Sequence, residues 1–214
     1  MSIRIILADD HPVVRIGTRA VIEASGVGGI VAEASNVDEL LGHLGRHPCD
    51  VLVTDLSMPG SKHSDGYTMM ERIRRSHPTL PILMLSVSNN VGILRMVSSL
   101  GVLGLIDKGS SMNELPVAIQ TVHKGNTYIS TTLKRLAGEA GDANMSGDGK
   151  KSLSPREMEV LRLIASGLKV KQIADQLNRG VTTISKQKSD AMRKLGIRND
   201  AELFDYLRRQ GFSN

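Results

Sequence analysis

The chain has 214 residues, of which 40% are hydrophobic and 23% are charged, and its formal net charge is +5. This length and composition suit one or two globular domains with a buried core. The single cysteine, Cys49, excludes an internal disulfide. The sequence contains no run of about 20 apolar residues that would span a bilayer, and its N-terminus lacks the apolar stretch of a signal peptide. We therefore expect a cytoplasmic protein without a membrane partner.

The sequence predicts two domains joined by a flexible linker. Residues 136–152 contain four glycines among small and polar residues, without an apolar period. The charge changes at the same place: residues 1–149 carry 13 Lys or Arg against 15 Asp or Glu, whereas residues 150–214 carry 14 against 7. This arrangement is expected when only the second domain meets a polyanion such as DNA, although charge alone fits an ordinary solvated surface equally well.

The N-terminal part alternates between predicted strands and helices. Short apolar runs suit strands that are buried on both faces, and these runs are Ile3 to Ala8, Ile30 to Ala32, Val51 to Thr54, Ile82 to Ser86 and Gly104 to Ile106. The stretches between them carry residues at helical spacing, as with Val13, Gly17, Ala20 and Val21 in the first and Ile93, Met96, Val97 and Leu100 in the fourth. Five strands and five helices predict an α/β fold with a doubly wound, flavodoxin-like, five-stranded parallel sheet.

Polar residues stand at the predicted carboxyl ends of these strands, where such folds place their functional groups. Asp9 and Asp10 follow the first strand, Asp55 ends the third, Ser86 ends the fourth and Lys108 follows the fifth. Crowded carboxylates repel one another unless a cation neutralises them, and oxygen ligands suit a hard ion such as Mg²⁺. A nearby hydroxyl and ammonium would complement a phosphoryl group attacked by one carboxylate oxygen.

The C-terminal part predicts four short helices. Ser154-Pro155-Arg156-Glu157 is a capping box with Pro at the first helical position. Asn178-Arg179-Gly180 predicts a sharp turn before a third helix, which Thr182 or Thr183 would cap. Asn199 and Glu202 begin a fourth helix, which would turn Leu203, Phe204 and Leu207 to one side. Four helices with a tight turn between the second and third match an all-α helix-turn-helix unit.

The predicted third helix presents a polar face that suits a DNA groove. With Ile184, Ala191 and Leu195 facing inward, the candidate DNA-binding residues of this helix are Thr182, Thr183, Ser185, Lys186, Lys188, Ser189 and Arg193. Lys169 and Lys171 on the preceding helix are candidates for contacting the DNA backbone. Seen alone, such a face is more typical of an ordinary solvated helix, but the net charge and the turn spacing reverse that balance and favour DNA binding.

The N-terminal motifs resemble the receiver domain of two-component response regulators over residues 1–125. They are Ala8-Asp9-Asp10-His11-Pro12, Asp55-Leu56-Ser57-Met58-Pro59-Gly60, Ser86 and Lys108. The resemblance implies that Asp55 is the phosphoacceptor. It also implies that Mg²⁺ is held by Asp10, Asp55, the Ser57 carbonyl and, through water, Asp9, while Ser86 and Lys108 bind the phosphoryl group. Residues 126–151 would form a terminal helix and the linker.

The C-terminal motifs resemble the LuxR-type helix-turn-helix of the NarL/FixJ class over residues 152–210, and we expect the DNA-binding domain to span residues 152–214. They include Leu153 to Glu157, Thr183-Ile184-Ser185 and Lys194-Leu195-Gly196-Ile197. Together the two resemblances imply a bacterial transcriptional regulator that binds double-stranded DNA as a homodimer or heterodimer and acts on RNA polymerase. Its phosphoryl donor would be a sensor histidine kinase or a histidine phosphotransfer protein. No enzymatic activity is expected beyond its own phosphorylation and dephosphorylation.

Some positions depart from the receiver pattern and keep alternatives open. Leu105 and Ile106 stand where an aromatic switch residue is usual, Val87 replaces a smaller residue, Gly109 replaces a common Pro, and the loop at residues 59–66 is three residues longer. These departures favour, as one alternative, a regulator controlled by partners independently of phosphorylation. Another alternative is an Asp-nucleophile phosphotransferase or phosphatase, but Ser57 stands where haloacid-dehalogenase phosphatases carry a second Asp.

Overall fold

The computed structural model describes residues 2–63, 65–86, 100–109, 112–135 and 153–209. The chain forms two compact units, with the described residues up to 135 in the first and residues 153–209 in the second. The predicted linker at residues 136–152 and nearly all of the predicted fourth receiver helix, at residues 87–99, lie outside the described residues. Among the helices that are described, none is long and apolar enough to cross a membrane.

The first unit is a parallel sheet whose strands alternate with helices. Its elements are β1 (Ile3–Ala8), α1 (Pro12–Ser25), β2 (Gly28–Ala34), α2 (Val37–Leu44), β3 (Val51–Asp55), α3 (Gly66–Ser76), β4 (Ile82–Ser86), β5 (Gly104–Asp107), a 3₁₀ turn (Met112–Glu114), α4 (Leu115–His123) and β6 (Tyr128–Ile129). The strand order is β2-β1-β3-β4-β5-β6, and every pair is parallel. The predicted doubly wound sheet is confirmed.

A sixth strand corrects the prediction of five. In β6, Tyr128 N donates to Leu103 O at 2.8 Å, and Ser130 N donates to Leu105 O at 3.0 Å just beyond the strand. Two residues are too few to show an apolar period, so this strand could not be predicted from the sequence. A helical segment follows at residues 131–135, where the resemblance places a terminal helix.

The central strands of the sheet are buried on both faces. Leu7 and Val53 belong to a core cluster that also contains Ile119 of α4. Ile6 and Leu52 are just as fully buried and point to the opposite face, since successive side chains of a strand alternate. Strands covered on both sides explain the near-continuous apolar runs of the sequence.

The buried face of α1 is not the one that carries the apolar residues noted at helical spacing in the sequence. Its buried residues are Thr18 and Ile22, whereas Val13, one of the residues at helical spacing, is 81% exposed. Gly17 and Ala20 are exposed as well. Apolar residues occur on more than one side of this helix, so spacing alone did not identify the side that packs against the sheet.

The second unit consists of four helices, as predicted. They are α5 (Pro155–Ala165), α6 (Val170–Gln176), α7 (Val181–Leu195) and α8 (Asp200–Arg209). One core cluster joins them, and it includes Val160, Leu161, Ile164, Ile173, Ile184, Ala191, Leu203 and Leu207. Phe204 was placed with this apolar side but is 53% exposed, because Leu203 and Leu207 already fill the inner face of α8.

The helix starts of the second unit confirm the predicted capping box and correct a predicted cap. Ser154 Oγ accepts from Glu157 N at 3.3 Å, and Glu157 Oε2 accepts from Ser154 N at 2.6 Å. At the turn before α7, Asn178 has a left-handed φ of 51°. Gly180 is the N-cap of α7, without a side-chain hydrogen bond. The expectation that Thr182 or Thr183 caps this helix was therefore wrong, because both lie within its first turn.

Candidate functional site: an acidic strand-end cluster and an exposed polar helix

The carboxyl ends of β1, β3 and β5 bring three predicted site residues together. Lys108 Nζ lies 2.6 Å from Asp9 Oδ2 and 2.7 Å from Asp55 Oδ2. The three side chains are nearly inaccessible, with exposed fractions of 5% for Lys108, 0% for Asp9 and 6% for Asp55. Parallel strands end at one edge of the sheet, which is why residues far apart in the sequence converge here. The result is one ammonium between two buried carboxylates.

The backbone after β3 fixes the orientation of the Asp55 carboxylate. Its Oδ1 accepts from Leu56 N at 2.6 Å and from Ser57 N at 3.3 Å, while its Oδ2 faces Lys108. Hydrogen bonds from amides favour the ionised form of a carboxylate. Asp55 is thus held in one orientation, with one oxygen shared between the two amides and the other paired with the Lys108 ammonium.

Burial and charge act against each other on the Asp55–Lys108 pair. Burial raises the pKa of Asp55 above its ordinary value, although Lys108 opposes this rise. Burial by itself lowers the pKa of Lys108, but the adjacent Asp55 and Asp9 outweigh it and raise that pKa overall. Lys108 is therefore charged at neutral pH. A side chain must carry a positive charge if it is to neutralise phosphoryl oxygens.

Asp10 extends the site on its more open side. One oxygen each from Asp9, Asp10 and Asp55, together with a ring nitrogen of His11, lie within 4.8 Å of one another. Asp10 is partly exposed, with 24% of its side chain accessible, whereas Asp9 and Asp55 are buried. Three carboxylates with one side open to water fit a divalent cation that keeps several of its waters.

The segment after Asp55 folds back on the end of β3 through Asp65. This buried carboxylate accepts from Met58 N at 2.9 Å and from Ser57 Oγ at 3.3 Å, and Gly66 N donates to Leu56 O at 2.8 Å. The side chain of Ser57 therefore contacts Asp65. The role that the resemblance gives to Ser57 belongs to its carbonyl and stays a prediction.

Residues 61–63 of the long loop after Asp55 are bonded to the start of α2, a feature that sequence reasoning missed. Asp38 accepts from Lys62 N at 3.0 Å and His63 N at 3.2 Å, and His63 Nδ1 lies 2.6 Å from the same carboxylate. Ser61 Oγ accepts from Val37 N at 3.0 Å. The hydrogen bonds, first of all that from Lys62 N, lower the pKa of Asp38. Helical spacing and a loop length carry no signal for such a contact.

The other predicted receiver positions are placed only in part. Ser86 ends β4 in register with Asp107 of β5, as expected for a residue at the same edge, but its side chain lies outside the described residues, as does Val87. Leu105 and Ile106, at the positions of the usual aromatic switch, are buried in β5.

The face of α7 predicted to meet DNA is largely exposed. Ile184 and Ala191 are fully buried, which leaves the opposite side open. The exposed candidates on α7 are Thr182, Thr183, Ser185, Lys186, Ser189 and Arg193. Lys169 and Lys171, at the start of α6, are exposed as well.

Two of the candidate cations of α7 are paired within the unit. Lys188 Nζ lies 2.6 Å from Asp200 Oδ1, and only 19% of its side chain is exposed. Arg193 Nη2 lies 2.7 Å from Asp190 Oδ1 but remains 76% exposed. Lys186 is an exposed cation on the same helix, and no intramolecular ion pair is recorded for it among the described residues.

Both units match known protein families. Residues 5–120 match the response regulator receiver domain, and residues 151–207 match the bacterial regulatory proteins of the luxR family. The chain belongs to the response regulators with a LuxR-type DNA-binding domain. The transcriptional regulatory protein RcsB of Salmonella typhi is 41% identical over 206 residues, which cover 96% of this chain and 94% of that protein.

Solved structures show the same likeness. RcsB from Salmonella enterica serovar Typhimurium, bound to promoter P1flhDC in the presence of the phosphomimetic BeF3⁻, gives a TM-score of 0.85 at 39% identity and covers 98% of this chain and 100% of that chain. A structure of two RcsB dimers bound to two parallel DNAs gives 0.80 at 38% identity, covering 97% of this chain and 99% of that one. This protein is thus an RcsB-like transcriptional response regulator.

Proposed function

We propose that this protein regulates transcription by binding double-stranded DNA through α7, and that Mg²⁺-dependent phosphorylation of Asp55 controls that binding. The observation that carries the proposal is the position of Lys108 between the buried carboxylates of Asp9 and Asp55, with Asp10 beside them. Such a cluster concentrates negative charge at one rigid oxygen and provides a cation at the same place. These are the requirements of phosphoryl transfer to an aspartate.

In the transfer, one oxygen of Asp55 attacks the phosphorus of a phosphohistidine on a sensor kinase or a histidine phosphotransfer protein. The new P–O bond forms as the P–N bond breaks, and the electron pair of that bond returns to the imidazole of the donor. Asp10, Asp55, the Ser57 carbonyl and, through water, Asp9 would hold Mg²⁺, which would neutralise charge on the phosphoryl oxygens. Lys108 would pass from Asp55 Oδ2 to a phosphoryl oxygen, and Ser86 would donate a hydrogen bond.

The protein would catalyse no other reaction. Hydrolysis of the acyl phosphate on Asp55 by water returns the carboxylate, so phosphorylation and dephosphorylation of its own side chain complete the cycle. The acceptor side chain is only 6% exposed, and the adjoining loop is tied down by Asp65 and Asp38. This small opening suits a phosphohistidine or a small acyl phosphate better than a varied set of substrates.

On DNA, the exposed side of α7 would enter the major groove, with Lys169 and Lys171 on the adjoining backbone. Lys188 and Arg193 would contribute less than Lys186, since both already face carboxylates. The RcsB dimers bound to DNA support binding as a homodimer, or as a heterodimer with a related chain, to half-sites about 10 bp apart. A regulator of this kind acts on RNA polymerase, in the bacterial cytoplasm that holds the chromosome.

A second candidate keeps the DNA binding but makes it independent of phosphate. The observation that favours it is the burial of Leu105 and Ile106, with exposed fractions of 3% and 0%. No aromatic side chain stands at those two positions to turn toward a phosphorylated Asp55. Control would then come from the partner subunit.

Labelling with acetyl phosphate separates the two candidates. We expect Mg²⁺-dependent incorporation of one phosphoryl group into the wild-type protein and none into Asp55→Asn. DNA binding measured on both forms should then be tighter for the phosphorylated protein. Labelling without any change in DNA affinity would favour the phosphate-independent regulator, and labelling that survives in Asp55→Asn would refute Asp55 as the acceptor.

A further inference from the structure

His11 stands beside the carboxylates of the site and has no part in the function proposed above. Its Nδ1 lies 2.7 Å from Asp10 Oδ1 and 3.5 Å from Asp9 Oδ1. The ring is 57% exposed, so it borders the open side of the site rather than the core. With Asp55, the four residues place one nitrogen and three oxygens within 4.8 Å of one another.

These separations match those between ligands of a single octahedral ion. Ligands at about 2.1 Å from the ion lie about 3 Å apart when adjacent and about 4.2 Å apart when opposite. Asp10 would bind the ion directly, and its Oδ1 lies 2.7 Å from His11 Nδ1, close to the value for adjacent ligands. Asp9, whose Oδ1 lies 3.5 Å from the same nitrogen, would reach the ion through water. The spread of the whole set, at most 4.8 Å, is slightly above the value for opposite ligands. The four atoms therefore span a volume close to that of a single octahedral ligand shell.

The backbone keeps His11 at this position while leaving its ring available. The His11 N–H donates to Asp9 Oδ1 at 2.9 Å. His11 is also the N-cap of α1, but its side chain makes no capping hydrogen bond, and Pro12 sets the first turn of the helix. The imidazole is therefore not needed to start α1, and its recorded polar contacts are with Asp10 and Asp9.

We propose, building on the function proposed above, that His11 supplies a nitrogen ligand to the metal ion of this site. Mg²⁺ prefers oxygen ligands and gains little from an imidazole, whereas Mn²⁺, Co²⁺ and Ni²⁺ accept one readily. His11 thereby raises the affinity for these transition-metal ions selectively. The ion that supports phosphorylation of Asp55 then depends on which divalent metals are available to the protein.

Pulsed EPR of Mn²⁺ bound to the full-length protein tests this directly, because it detects magnetic coupling to a ligated nitrogen. We expect imidazole ¹⁴N coupling in the wild type and its loss in both His11→Ala and His11→Gln. The Gln variant retains a side chain that can hydrogen-bond to Asp10, so it separates a metal ligand from a residue that only positions that carboxylate. His63→Ala is the matched control, since His63 pairs with Asp38 and is not part of the metal-ligand cluster.

Affinities give the second readout. Mn²⁺ titrations should show affinity about tenfold weaker in both His11 variants, whereas Mg²⁺, measured by competition, should change by less than about twofold. Bound Mn²⁺ without ¹⁴N coupling, or coupling that persists in His11→Gln, would overturn the inference and leave the acidic site intact. If the wild type binds neither Mn²⁺ nor Mg²⁺, the Mg²⁺-dependent step of the proposed function fails as well.

Discussion

Lys108 is the residue on which the buried acidic cluster depends. Asp9 and Asp55 have almost no contact with water, and each has an oxygen within 2.7 Å of the Lys108 ammonium. Two carboxylates this close would repel one another strongly without that charge, because water cannot screen them. In the proposed mechanism the same ammonium moves from Asp55 Oδ2 to the incoming phosphoryl group, so Lys108 would link the stability of this cluster to its chemistry.

Replacing Lys108 should therefore destabilise the receiver unit more than the loss of one exposed charge would. Lys108→Met keeps much of the alkyl chain but leaves the two carboxylates without a counter-charge, which typically costs about 3 kcal/mol. We expect a lower free energy of unfolding in urea at pH 7, partly restored by Mg²⁺. Lys124→Met, on an exposed residue of the same unit, is the control. Equal stability of the two variants would show that the ammonium is dispensable.

Tyr128 provides a prediction about pH. Its hydroxyl donates to Glu114 at 2.5 Å, and burial together with that carboxylate raises the pKa of Tyr128 to about 12. The raised pKa favours the neutral phenol in the folded state. Its contribution to stability is thus complete below the unfolded pKa of about 10 and is lost as the pH rises through the folded pKa.

The phenol can be titrated by its ultraviolet absorbance. The chain has three tyrosines, so the difference between the wild type and Tyr128→Phe isolates this one. The midpoint of the difference should lie near pH 12 and move toward 10 in Glu114→Gln. A midpoint near 10 in both proteins would mean that the hydrogen bond does not persist in solution.

The acidic site was more predictable than the residues that surround it. Asp9, Asp55 and Lys108 follow apolar runs, and parallel strands bring their carboxyl ends to one edge, so the order of elements alone predicts the convergence. Asp38 and Glu114 lie in ordinary polar stretches. Their contacts arise from how a loop and a 3₁₀ turn fold in space, which neither spacing nor composition reports.

At the scale of elements, residues 61–63 of the long loop after Asp55 are hydrogen-bonded to the start of α2. Asp38 alone accepts from two loop amides and contacts the His63 ring, and Ser61 adds a hydrogen bond to Val37 N. The same loop follows Asp55 directly in the chain. An extended loop would ordinarily be mobile, and here its amides are held by a neighbouring helix.

Hydrogen exchange measured at single residues tests whether Asp38 holds this loop. Asp38→Ala removes the acceptor, so the amides of Lys62 and His63 should exchange faster, while amides of β3 keep their protection. Glu39→Ala is a matched neighbour, because Glu39 bonds to Ser35 and not to the loop. Unchanged exchange at Lys62 in Asp38→Ala would mean that the loop is held in some other way.

Spacing in the sequence did not identify the buried face of a helix when apolar residues occur on several of its sides. The strands were predicted correctly because a short, continuous apolar run suits a strand that is buried on both faces. The helix start at Ser154 was predicted correctly because a capping box provides acceptors for amides that would otherwise be unpaired. In α1 and α8, apolar residues occupy more sides than the core can cover. Val13 and Phe204 therefore lie exposed, although their spacing is compatible with burial.

At the scale of the whole chain, the excess of basic residues is confined to the C-terminal part. Residues 150–214 carry twice as many basic as acidic residues, whereas residues 1–149 carry a slight acidic excess. DNA attracts the first and repels the second, so association should be driven by the C-terminal unit and should weaken steeply with salt. The slight acidic excess of the N-terminal part should also disfavour binding of polyanions to the proposed phosphoacceptor site.

The salt dependence of DNA binding can assign this attraction to single side chains. Each phosphate neutralised by a lysine contributes about 0.9 to the slope of log affinity against log salt. Lys186→Ala should weaken binding and reduce that slope by about this amount. Lys188→Ala, in the same helix, should reduce it less, because Asp200 already neutralises Lys188. Equal slopes for Lys186→Ala and the wild type would mean that α7 does not meet DNA through this face.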